Sequence, residues 1–143
     1  MYIYHADLEY DIEGDCHVVT FPDIPEVLTQ GRTKDEALEQ AADALGVMCT
    51  SFYNDGDPIP KPSYAQGHPV AVPINVILKM CIRDGMRDNS LSNVALAKST
   101  GLNEAEVRRI TNFSHNTSIK RLERVLRLLG RTASVNVGVT AVG

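Results

Sequence analysis

The sequence predicts an α+β protein, with a small β-β-β-α-β layer joined to an all-α unit that holds a helix-turn-helix and a closing β-strand. Three observations point there. Residues 2–12 alternate with period two, and Thr33 and Glu36 are spaced as the capping pair of an amphipathic helix. Ala97, Gly101, Val107 and Ile110 then recur at the spacing of two short helices folded on each other around a turn. The predicted domains are residues 1–74 and 75–143.

In the first domain, Tyr2, Tyr4, Ala6, Leu8, Tyr10 and Ile12 fall on one side of a strand. Ile3, His5, Asp7, Glu9, Asp11 and Glu13 fall on the other, which makes a half-buried strand with an acidic outer face. Glu13-Gly14-Asp15 is a turn, and residues 16–21 (CHVVTF) return as the second strand of a hairpin. Pro22 and Pro25 bracket a rigid corner, because neither ring can sit in a central strand. Val27 to Gln30 is a short third strand ending at Gly31. From Thr33 onward Leu38, Ala41, Ala42, Leu45, Met48, Cys49 and Phe52 form one apolar helical stripe that stops at Asn54-Asp55-Gly56. Residues 57–69 hold four of the seven prolines and no periodicity, so they read as an extended connection. Val70, Val72 and Ile74 alternate as a fourth strand, edge-like because Pro73 interrupts its hydrogen bonding.

The second domain opens with a helix capped by Asn75, turning Ile77, Met80, Cys81 and Ile82 inward. In the stretch LSNVALAKSTGLNEAEVRRITNFSHNTSIKRLERVLRLLG, Ala97 permits close approach of two helices, Gly101 supplies a left-handed turn, and Val107 and Ile110 fold the second helix back. Ser118 caps a further helix with Ile119, Leu122, Val125, Leu126 and Leu129 on one face, and Gly130 stops it. Residues 134–142 (SVNVGVTAV) alternate again. Such a strand lacks a partner in its own unit, so Val135, Val137 and Val139 are expected to pair with a second chain in a homodimer or homotetramer.

Charge separates the two parts. The chain of 143 residues carries a net −4, but residues 1–73 hold three basic against thirteen acidic residues, a net −10, and residues 74–143 hold eleven against five, a net +6. A basic unit suits an anion such as nucleic acid, and an acidic one attracts a basic protein. At 43% hydrophobic and 22% charged the composition is that of an ordinary globular chain. No apolar run reaches the ~20 residues of a membrane span. The start MYIYHADLEY lacks the basic, then apolar, pattern of an export signal, so no membrane partner and a cytoplasmic location are expected. Cys16, Cys49 and Cys81 are odd in number and far apart, as reduced thiols are.

On the second helix of the helix-turn-helix, Asn103 begins a capping-box-like start with Glu106. The exposed face offers Glu104, Arg108, Arg109 and Asn112. Arg108 suits a guanine edge, and Glu104 can accept from a cytosine amine. Arg109, Asn112, His115, Asn116, Thr117 and Lys120 are expected at phosphates, with Asn103 at the same interface. The two glutamates weigh against a duplex, whereas the net +6 favours one. An alternative for the acidic face is a metal-dependent nuclease built on His5, Asp7, Glu9, Asp11 and Asp23. Same-face residues on one strand stand about 7 Å apart, too far for one ion, so an acidic solvated face is the better reading. Neither a glycine-rich phosphate loop nor a nucleophile elbow is present in the sequence. No cofactor, metal or catalytic residue is expected.

The stretch FPDIPEVLTQGRTKDEALEQAADAL (21–45) resembles the signature of HicB-type antitoxins, in which a strand ends in Phe-Pro-Asp-x-Pro, a short strand ends at Gly, and a Thr-x-x-Glu-Ala helix follows. YNDGDPIPKPS (53–63) resembles that family's helix exit, and the helix-turn-helix with its terminal strand resembles the longer subclass. The resemblance implies a partial RNase H-like fold without nuclease activity. It also implies binding of a small basic HicA-type toxin that cleaves mRNA, and autorepression of the shared operon at a palindromic double-stranded operator. Asp7, Glu9, Asp11 and Asp23 are the acidic residues offered to the toxin, although Asp23, Pro25 and Gly31 match the motif in positions that set shape. The competing reading is a stand-alone repressor that senses a small ligand, with the nuclease third.

Overall fold

The computed structural model describes residues 2–138. One compact unit ends at Pro73 and a second begins at Ile74. The first contains β1 (Ile3–Asp11), β2 (Cys16–Thr20), β3 (Leu28–Gly31), α1 (Lys34–Asp55) and β4 (His68–Ala71). Its four strands pair antiparallel in the order β3-β2-β1-β4. The period-two pattern holds in the first part of β1, where Tyr4 and Ala6 are fully buried and Leu8 stands opposite the buried Val19, but Tyr10 and Ile12 of the same predicted face are exposed toward the hairpin turn. Helix α1 lies on the sheet through Ala37, Ala41, Leu45 and Cys49 at four-residue spacing, the two alanines allowing close approach at its start. The proline corner tucks Phe21, Ile24 and Val27 inward, held by Ile24 N–H to the Phe21 carbonyl (3.1 Å) and Val27 N–H to the Ile24 carbonyl (3.0 Å).

Thr33 caps α1 by accepting from the Glu36 N–H (3.1 Å), while Glu36 accepts in return from the Arg32 N–H (2.9 Å). Gly56, at φ 76°, ends the helix, with Asp57 N–H bonded back to the Phe52 carbonyl (2.9 Å).

The fourth strand differs from its expected extent. It is an edge strand, but it runs from His68 to Ala71 with Pro69 opposite His5, and its last link is Val72 N–H to the Tyr2 carbonyl (3.0 Å). Pro73, lacking an N–H, ends the ladder rather than interrupting it, and Ile74 begins a helix. Asn75 is therefore inside that helix and not its cap.

The second unit is α2 (Ile74–Asp88), α3 (Asn93–Thr100), α4 (Glu104–Thr111) and α5 (Ile119–Leu128). Its core joins Leu78, Ile82 and Met86 of α2 to Leu96 and Ala97 of α3, Val107 and Ile110 of α4, and Leu122, Val125 and Leu126 of α5. The inward face of α2 is thus rotated from the expected one. Ile77 is only partly buried, and Cys81 touches the core from its margin. Ser92, Asn103 and Ser118 cap the last three helices, each accepting from the N–H three residues on. Ile119, expected on the buried face of α5, is 47% exposed.

Residues 131–138 form no strand pairing, and Val135 and Val137 are exposed. Val139 lies outside the described residues.

Candidate functional site

Gly101, at φ 72°, turns the chain between α3 and α4, and Asn103 then starts α4 with a full capping box. The Asn103 side-chain oxygen accepts from the Glu106 N–H (2.8 Å), and the Glu106 carboxylate accepts from the Asn103 N–H (3.0 Å). This local chemistry accounts for one of the two glutamates that sit awkwardly beside a duplex: Glu106 is a cap. The other, Glu104, lies 3.8 Å from the Arg108 guanidinium one turn on, an exposed pair screened by solvent.

Around that helix the structure brings together most of the residues expected at nucleic acid. Asn103, Glu104, Arg108, Arg109, Asn112, His115, Asn116 and Lys120 are all exposed. Thr117 is not: it is 8% exposed, and its hydroxyl is buried with no hydrogen-bond partner among the described residues. It is withdrawn from the phosphate contacts, because the chain turns inward there to lead into α5. The exposed side of α5 adds Arg121, Arg124 and Arg127 to Lys120.

What holds the end of α4 is a residue the sequence reading missed. Lys79 is 1% exposed, and its ammonium donates to the carbonyls of Arg109 (3.2 Å), Asn112 (2.7 Å) and His115. All three donors of the group are therefore used on the last turn of α4 and the loop after it. Burial pushes its pKa below the usual lysine value. A signal existed: Lys79 precedes Ile82 and Met86 by three and seven residues, in phase with the buried stripe. Asn112 completes the loop by accepting the Ser114 N–H on its side chain (2.9 Å).

In the first unit the acidic residues divide by role. Asp23 accepts from the Ser63 N–H (2.9 Å), the Ser63 hydroxyl (2.5 Å) and the Tyr64 N–H (2.9 Å), so its carboxylate pins the proline-rich connection to the corner. Those hydrogen bonds, the Ser63 hydroxyl's first, hold its pKa below the ordinary carboxylate value. Asp7 accepts from the Tyr64 hydroxyl (2.7 Å), fastening the same segment to β1. Tyr4 reaches it from another point, donating to the Pro60 carbonyl (2.6 Å). The "extended connection" is thus bound at three places. Glu9 and Asp11 remain on the exposed surface, Asp11 accepting from the Glu13 N–H (3.1 Å) in the hairpin turn.

Burial pushes Cys49 up to about 11 and raises Cys81, so neither is a thiolate at neutral pH. Among the described residues no group of three or more His, Cys, Asp or Glu is arranged to hold a metal ion, and no helix is long and apolar enough to cross a membrane.

Comparison with known proteins adds the family. The model of the HicB-like antitoxin of bacterial toxin–antitoxin systems matches residues 3–81. The chain is 36% identical to Antitoxin HicB 1 of Photorhabdus laumondii subsp. laumondii over 126 residues, 88% of this chain and 81% of that protein. It is 37% identical to Antitoxin HicB 2 of the same organism, over 90% of this chain and 91% of the relative. Against Antitoxin HicB of Escherichia coli K12 it is 32% identical over 83% of this chain and 88% of the relative. On the match to the family model and these alignments, the chain belongs to the HicB-like antitoxin family of bacterial toxin–antitoxin systems.

Proposed function

We propose that this chain is a two-ended antitoxin: its first unit binds and covers a small basic HicA-type toxin that cleaves mRNA, and its second binds the operator of their shared operon. The observation that carries the reading is the opposite charge of the two compact units: Met1–Pro73 carries a net −10 and Ile74–Gly143 a net +6. Each unit therefore carries the sign its partner requires: acidic toward an RNA-binding protein, basic toward DNA. The family membership supports the first half. The exposed face of α4, with Arg108 toward bases and Arg109, Asn112, His115, Asn116 and Lys120 toward phosphates, supports the second.

On this reading α3 and α4 act as a helix-turn-helix, the chain catalyses no reaction, and it works in the cytoplasm. The stretch holding Val135 and Val137 joins two copies so that two α4 helices meet the halves of a palindrome. The test is co-expression with the short basic reading frame beside its gene. The chain should co-purify with that product, restore growth that the product alone arrests, and shift a duplex from its own upstream region. A neighbouring product that is harmless with or without this chain would sink the toxin half. A ligand-dependent change in operator affinity with no protein partner would select the stand-alone repressor instead.

A further inference from the structure

The second unit holds a cleft of about 590 Å³ between α2, the start of α3 and the C-terminal end of α4. Its polar lining is Arg83 and Arg87 from α2, Asn93 from α3, and Arg108, Thr111 and Asn112 from α4, without one carboxylate. Three guanidinium groups, a hydroxyl and two amides are a donor set for oxyanions, and arginine in particular matches phosphate oxygens two at a time. The volume lies in the ~300–1,000 Å³ range of small-molecule sites, so it admits a phosphate together with its attached sugar.

Arg83 is set over the Phe113 ring, 5.0 Å from its centroid, a contact that restrains the guanidinium. Arg87, itself largely exposed, pairs with Asp84 at 2.8 Å. A solvent-screened pair of that kind yields readily to a phosphodiester. The cleft is also continuous with the face of α4 described above, because Arg108 and Asn112 belong to both.

We infer that this cleft is a clamp for a backbone phosphate of duplex DNA, with Arg83 and Arg87 of α2 as positioning contacts beside the base-reading helix. The inference rests on the DNA-binding half of the proposed function and adds residues outside the helix-turn-helix to it. A clamp of this type contributes affinity to any sequence and fixes the angle at which α4 enters the groove.

The test is titration of the full chain and its Arg83→Gln/Arg87→Gln variant with an operator fragment and a scrambled duplex of equal length. Fluorescence anisotropy is followed from low to moderate salt, with circular dichroism to confirm that the variant is folded. The double variant should bind both duplexes about tenfold or more weakly. Its plot of log affinity against log salt should be shallower by about 1–2, because fewer counterions are released. The ratio of operator to scrambled affinity should hold. An unchanged salt slope in a folded variant overturns the clamp while leaving operator binding intact. Saturation of the cleft by inorganic phosphate, with no effect of the variant on duplex binding, overturns it in favour of a small anion. A wild-type chain that binds neither duplex overturns the DNA-binding reading itself, and the clamp with it.

Discussion

A lysine ammonium buried without a carboxylate is tolerated only when all three of its donors are used, and Lys79 uses them on three carbonyls at the end of α4. Replacing it with Met keeps the volume but leaves those acceptors without their donor. The loss should be about 1–3 kcal/mol or more in denaturant unfolding. The effect of pH has a definite sign. Burial places the folded pKa of Lys79 below 10.5, so the unfolded chain holds the proton more tightly. Below the folded pKa the protein bears the full cost of the buried charge, and stability recovers as pH rises through that value toward 10.5. The gap between wild type and Lys79→Met should therefore widen from neutral to alkaline pH, where other titrations cancel in the difference. A gap that is flat or narrows would show that the ammonium is not desolvated. Asp23 behaves oppositely. Its hydrogen bonds lower its pKa from 3.8, so its contribution is present above that value and lost as pH falls through the folded one. Asp23→Ala should release residues 57–67 to limited proteolysis at neutral pH and differ little from wild type in acid.

Elements are where the chain is most legible, because their signals are local. The alternation of β1 as far as Leu8, the Thr33–Glu36 box of α1, the Asn103–Glu106 box of α4 and the Ser118 cap of α5 are each local and each reappears, whereas Tyr10 and Ile12 lie beyond the cover of the core. The sheet-to-helix passage at Val72–Ile74 is ambiguous in the sequence, because Ile74 fits both a strand alternation and the first turn of a helix. Lys79 and the arginine cleft were invisible for a different reason. Their partners lie about 20–36 residues away and are often backbone carbonyls, which leave no mark in residue type. Thr117 sits in a polar run and reads as surface until α5 is docked. Two glycines separate these kinds of information. Gly101 needs its φ of 72° and has open space around it, so Gly101→Ala should cost about 1–2 kcal/mol of backbone strain alone. Gly31 is a matter of contact: a Cβ there would sit 2.4 Å from the Ala37 N and 2.8 Å from its Cα, both backbone atoms that cannot step aside. Gly31→Ala should force α1 off the sheet and cost at least about 1–3 kcal/mol. Chemical denaturation of the two variants should rank Gly31→Ala the more damaging. The reverse order would mean that α1 has room to shift.

For the whole molecule, the opposite charge of the two units makes a prediction that neither unit makes alone. Residues in different units and far from shared partners act additively, so damage to one binding function should leave the other unaltered. Glu9→Lys/Asp11→Lys reverses charge on exposed positions of the first unit. It should slow association with the basic toxin by about tenfold at low salt, an effect that fades as salt rises, because long-range steering is screened within about 10 Å at 0.1 M. Operator affinity should not fall. Arg108→Ala should do the reverse: weaken the operator by about 1–3 kcal/mol and relax its sequence preference, with toxin association unchanged. Lys120→Ala calibrates the second measurement, since a phosphate contact weakens all duplexes alike. Stopped-flow association with the toxin and anisotropy on the operator, run on the same three preparations, read both functions. If the acidic double variant loses operator affinity, or Arg108→Ala slows the toxin, the two ends are coupled and the additive picture fails. If neither variant affects either partner, the charges at these positions are only a solvated surface, and recognition lies elsewhere on each unit.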